Sequence, residues 1–121
     1  MSVQGIFYIA AHVANLARSK QFYSEKLGWK LETNEPTVAG FRFGAGYLVL
    51  LADSAQGEQR NLAGGMHVAV QVNDIATEHG RLSASGVAVS ELRSQPWGER
   101  NFSFRDPDGY EWSYGEIVAR A

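Results

Sequence analysis

The sequence predicts an α+β fold of two tandem β-α-β-β-β modules, whose curved mixed sheets surround a cavity with the helices outside. Three observations carry that expectation. Apolar residues recur in short alternating runs, the period of half-buried strands. Two longer segments have Asn or Asp in front and Gly behind, as capped helices do. The pattern also repeats: Val13-Ala14-Asn15-Leu16 falls on Val72-Asn73-Asp74-Ile75 at an offset of 59 residues.

Taken in order, Ile6 to Val13 reads as a first strand, with Phe7, Ile9, Ala11 and Val13 on one face and Tyr8, Ala10 and His12 on the other. Asn15 caps a helix from Leu16 to Leu27, whose Leu16, Tyr23 and Leu27 share a side. Gly28 supplies the left-handed residue that ends it. Strands follow at Trp29–Thr33, Val38–Phe43 and Tyr47–Ala52, the last two joined by Gly44-Ala45-Gly46. Residues 53–65, DSAQGEQRNLAGG, are small and polar and read as a connector.

The second module restarts at Met66–Val72. Met66, Val68, Val70 and Val72 form one face there, and His67, Ala69 and Gln71 the other. Asp74 caps a helix over Ile75–Ser85 that Gly86 ends, and strands are expected near Val87–Leu92, Asn101–Arg105 and Tyr110–Glu116. The whole, residues 1–121, is one domain, with module 1 at about 4–53 and module 2 at about 66–117. The offset sets Tyr8 on His67, Ala10 on Ala69 and His12 on Gln71. These small and polar faces suit a pocket better than a packed core, and pairing the two sheets would enclose one. That pairing is open between one chain and a dimer.

Composition narrows the function classes. A net charge of -2 without a Lys/Arg run argues against nucleic acid and anionic membranes as partners. The absence of cysteine removes disulfides, a thiol nucleophile and Cys-ligated metals. MSVQGIFYIA lacks the basic start and apolar run of a signal peptide, and no stretch reaches the roughly 18 apolar residues of a membrane span. A cytoplasmic location is the expectation.

The duplicated module, HVANLARSKQFYSEKLGW after the first strand and FRDPDGYEW before the last resemble the vicinal oxygen chelate superfamily of glyoxalases, bleomycin resistance proteins and extradiol dioxygenases. QPWGERNFSFRDPDG looks most like the bleomycin-resistance branch, whose members sequester antibiotics as dimers. The resemblance therefore implies a homodimer that binds a small organic ligand.

Metal enzymes of that superfamily take a ligand from each first strand and carboxylates from later strands. Carried over, those positions are Tyr8, His67, Ser113 and a residue near Leu50, and only His67 is a good ligand. A shifted set of His12, His67 and Glu111 would place His12 about 7 Å from the expected depth along its strand. The expectation is no metal and no other cofactor, with no catalytic residue. Ligand contacts are expected at Tyr8, His12, His67, Trp97, Arg100 and Ser113, with Glu99 a weaker rim candidate. Trp97, in a Pro-Trp-Gly loop, is placed to stack on a flat ligand. His79 reads as a surface residue. Asp106 and Asp108 read as turn residues of Asp106-Pro107-Asp108-Gly109 rather than a catalytic pair. The implied function is sequestration of an antibiotic or aromatic metabolite. The alternative is a lyase, isomerase or dioxygenase, metal-dependent through the shifted set or metal-free through His67.

Overall fold

A computed structural model of the chain describes residue 2 and residues 4–52 and 67–118. They fall into two compact units on either side of the expected connector, which itself lies outside the described residues. Among the described residues no helix is long and apolar enough to cross a membrane.

The first module runs β1 (Ile9–Val13), α1 (Leu16–Gln21), a π-helical turn (Phe22–Lys26), β2 (Lys30–Asn34), β3 (Val38–Phe43) and β4 (Gly46–Ala52). Its sheet has the order β1-β4-β3-β2, with β1 parallel to β4 and the other pairs antiparallel. The second runs β5 (His67–Gln71), α2 (Ile75–Ala84), a two-residue β6 (Arg93–Ser94), β7 (Glu99–Arg105) and β8 (Glu111–Ile117). Its order, β5-β8-β7-β6, repeats the first, again with only the outer first strand parallel to its neighbour. Both modules are thus the expected β-α-β-β-β unit.

The caps form as the residue types dictate. Asn15 Oδ1 accepts the Arg18 amide at 3.0 Å, and Asp74 Oδ1 accepts the Thr77 amide at 3.2 Å. Gly28 and Gly86 follow the helices with φ of 75° and 87°, where a side chain would be strained. The expected first helix is not α-helical to Leu27. Its second half widens, with the Leu27 amide bonding the Phe22 carbonyl five residues back. The Ser24 hydroxyl occupies the Lys20 carbonyl at 2.6 Å and so competes for an acceptor of the ladder.

One face of each sheet is closed by its helix. In module 1 that side buries Val13, Leu16, Tyr23, Leu27, Phe41, Leu48 and Leu50. Tyr23 sits 5.3 Å from Trp29 and 5.6 Å from Phe41, ring centre to ring centre. In module 2 it buries Ile75, Leu82, Phe102, Phe104, Trp112 and Tyr114. Glu116, from β8, reaches the start of α2 and accepts the Ile75 amide at 3.0 Å, which serves an amide left over at the helix start.

The expected strand at Val87–Leu92 does not form. Of these residues Ser90 alone reaches β7 in the described hydrogen bonds, its amide bonding the Ser103 carbonyl at 2.9 Å and its hydroxyl accepting the Ser103 amide at 2.8 Å. The Ser90 carbonyl is taken by His79 Nε2 at 2.8 Å, from α2. His79 is accordingly half-buried, edge-on to Phe102 at 5.0 Å, and not a plain surface residue. It ties helix to loop where a ladder bond would have been.

Candidate functional site

The face of each sheet away from its helix holds the candidate residues, and register fixes which side chains share it. In module 1, Ala10 stands opposite Val49 and His12 opposite Leu51, while Ala11 pairs with Leu50. Leu50 is 0% exposed in the helix-side core. The expected position near Leu50 is therefore off by one residue, which for a strand means the wrong face. The open-face residue is Val49, and the second module agrees: Ala69 pairs with Ser113 there as Ala10 pairs with Val49. Val49 is no more a metal ligand than Leu50.

Tyr8 precedes β1, half exposed, and meets Phe7 edge-on at 5.4 Å. Both line an open groove of ≈ 350 Å³ with Glu32, Arg42, Tyr47 and Val49. The floor of that groove is well ordered by chemistry. Arg42 donates to both Glu32 oxygens, at 3.0 and 3.3 Å, and lies 5.1 Å from the centre of the Tyr47 ring. The hydrogen bond from Arg42, then its charge and that of Lys30, hold Glu32 below the usual carboxylate range against some desolvation. The Tyr47 hydroxyl bonds Thr33 Oγ1 at 2.9 Å and lies over Gly40, where any Cβ would collide with the phenol. A register shift between Leu31 and Thr33 lets both Glu32 and Thr33 take part. His12 is half-buried, with Nδ1 shielded from solvent.

In module 2 the open face runs His67, Ala69 and Gln71 on β5, Glu111 and Ser113 on β8, and Ser103 and Arg105 on β7. His67 is exposed opposite Glu111, and Ser113 lies between Ala69 and Ser103. Arg105 bonds Glu111 Oε1 at 3.3 Å and the Gly109 carbonyl at 3.0 Å. His67 and Ser113 are thus brought to one end of the face. Trp97 is not with them, since its bonded partner Glu99 pairs with Ile117 at the far end of β8. Along β8, Ile117 lies six strand steps from Glu111, which faces His67, and four from Ser113, about 20 and about 13 Å.

Arg100 departs from the expectation. It pairs with Glu116 on the helix-side face, with Phe102 and Phe104, because alternation along β7 sends it opposite to Glu99 and Asn101. Glu99, the other rim candidate, lies on the open face. Its Oε1 accepts the Trp97 indole N–H at 2.7 Å, a pairing two residues apart that residue types alone did not single out. The Asp106-Pro107-Asp108-Gly109 segment is a turn, closed by the Gly109 amide on the Asp106 carbonyl at 2.9 Å. Asp106 Oδ1 accepts the Asp108 and Tyr110 amides at 3.0 and 2.9 Å, so this carboxylate serves the backbone.

Residues 5–114 match the model of the Glyoxalase/Bleomycin resistance protein/Dioxygenase superfamily. The chain belongs to this superfamily. A glyoxalase/bleomycin resistance protein/dioxygenase from Nocardioides superposes with a TM-score of 0.81 at 26% identity, over 100% of this chain and 88% of the other. TnmS3, an antibiotic binding protein from Streptomyces sp. CB03234, gives 0.80 at 24% identity, covering 98% and 99%. Lactoylglutathione lyase from Agrobacterium tumefaciens gives 0.79 at 20%, covering 96% of each chain.

The superfamily's metal enzymes give a test of the donor set. Of the positions that the resemblance assigned to ligands, module 1 carries Tyr8 and, on the open face beside Leu50, Val49, and module 2 carries His67 and Ser113; only His67 is a good donor type. Among the described residues neither module holds a cluster of three His, Asp or Glu side chains fit for an ion.

Proposed function

We propose that this superfamily member is a binding protein that sequesters an antibiotic or aromatic metabolite without a metal, working as a homodimer. One observation carries the reading. A divalent ion acting as Lewis acid needs several anionic or imidazole donors, and Tyr8, Val49 and Ser113 supply none beside His67. Aromatic and aliphatic side chains around the module 1 groove suit a flat organic molecule, with Arg42 and Glu32 as polar fixing points. His67 and Ser113 offer hydrogen bonds on the second open face, and the likeness to TnmS3, named as antibiotic binding, adds support.

A thermal-shift panel of aromatic antibiotics and metabolites, with native mass spectrometry for the oligomer, tests this directly. A ligand that raises the melting temperature equally with and without chelator supports the reading. Turnover of a glutathione hemithioacetal or a catechol, lost on chelation, would replace binding with metal-dependent catalysis. A monomer in the native spectrum would remove the dimer.

A further inference from the structure

The start of β7 holds an arrangement that the binding reading leaves unused. Trp97 is 65% exposed, while Trp29 and Trp112 are buried. Its indole N–H is held by Glu99 Oε1, so the ring is tied by its edge and the exposed part is its face. The rest of that carboxylate lies across Gly115, where a methyl group would collide with Glu99 Oε2. Glycine at 115 is what lets the carboxylate lie along the sheet beside the indole.

Among the described residues no Lys, Arg or His forms an ion pair with the Glu99 carboxylate, whose hydrogen bond is the one from the Trp97 indole. Arg100, its chain neighbour, points to the other face of the sheet. An anion and an exposed aromatic face, fixed to each other, share one complement. That complement is a cation with an apolar flank, since the indole face attracts positive charge and the carboxylate makes a charge-assisted bond.

We propose that Glu99 and Trp97 form a recognition corner for the cationic nitrogen of an organic ligand, with Gly115 as the seat that positions the carboxylate. This rests on the binding reading and narrows its ligand class to aromatic or heterocyclic cations.

Calorimetric titration of the full chain with 1-methylquinolinium, neutral quinoline and anionic 2-naphthoate at pH 7 is the test. The cation binds roughly fivefold or more tightly than quinoline, the range of a cation on a partly exposed ring and carboxylate. Glu99→Gln keeps an acceptor for the indole, so quinoline binding is retained while the preference for the cation disappears. Gly115→Ala moves the carboxylate and cuts the preference in the same direction, with the far-ultraviolet spectrum unchanged. Trp97→Leu weakens both the cation and quinoline. Equal affinity for cation and quinoline, or a preference that survives Glu99→Gln, overturns the corner while leaving binding intact. No heat with any of the three probes also overturns it, and the thermal-shift panel then decides the wider reading separately.

Discussion

The two modules share a topology and differ in what their open faces carry. Strand order, the parallel outer strand, the Asx cap and the glycine after the helix are the same in both. The helix-side faces are also alike, both filled with aliphatic and aromatic residues. On the open faces module 1 presents Tyr47, Val49 and Leu51 on its inner strand, whereas module 2 presents Glu111 and Ser113 at the matching register. Each face has a side chain laid over a glycine: the Tyr47 phenol over Gly40, and the Glu99 carboxylate over Gly115. The fold is therefore specified by the side that packs, and the other side is left to chemistry.

The largest effect that would break this comparison lies in the two cores. Leu50→Ala and its register counterpart Tyr114→Ala should each cost about 2–5 kcal/mol in denaturant unfolding, as buried large-to-small changes do. Val49→Ala, one residue away but facing out, should cost well under half as much. Equal losses at Leu50 and Val49 would contradict the assigned register.

Next come the two glycines. Gly40→Ala pushes a Cβ into a phenol that Thr33 holds in place, and an overpacking loss of about 1–3 kcal/mol is expected. Gly115→Ala displaces only the end of a flexible carboxylate, so its loss should be clearly smaller. Thermal unfolding of the pair checks the order.

The caps separate the modules by pH. Asn15→Ala should cost about 1 kcal/mol at any pH between 3 and 8, because an amide cap does not titrate. Asp74 is held below its ordinary value of 3.8 by the Thr77 hydroxyl and then the Thr77 amide. Its contribution is accordingly complete above that ordinary value and is lost as pH falls through the lower folded value. Asp74→Asn should flatten the acid limb of the stability curve, read by unfolding at successive pH values. The smallest effect belongs to His67→Ala. Exposed at the start of β5, it should change stability by no more than about 0.5 kcal/mol while weakening ligand binding.

Much of this was legible in the chain, and the exceptions have physical causes. Both caps and the Asp-Pro-Asp-Gly turn are local, with spacings of two to four residues, and the repeat shows as the same local pattern recurring 59 residues on, so sequence carries them. The face of Leu50 was not legible, because Tyr47–Ala52 is apolar on both sides and only pairing with β1 decides parity. Val87–Leu92 has the composition of a strand, yet His79 takes the Ser90 carbonyl from a helix eleven residues earlier. Arg100 and Glu99 are adjacent, so choosing between them required knowing which face β7 turns to the helix.

Binding without metal by this superfamily fold is tested most directly by one native mass spectrum of protein purified without chelator. A dimer with no stoichiometric divalent ion is expected, with added ligand bound as tightly after chelator treatment as before. One zinc, nickel, manganese or iron per chain, whose removal abolishes ligand binding, would contradict it.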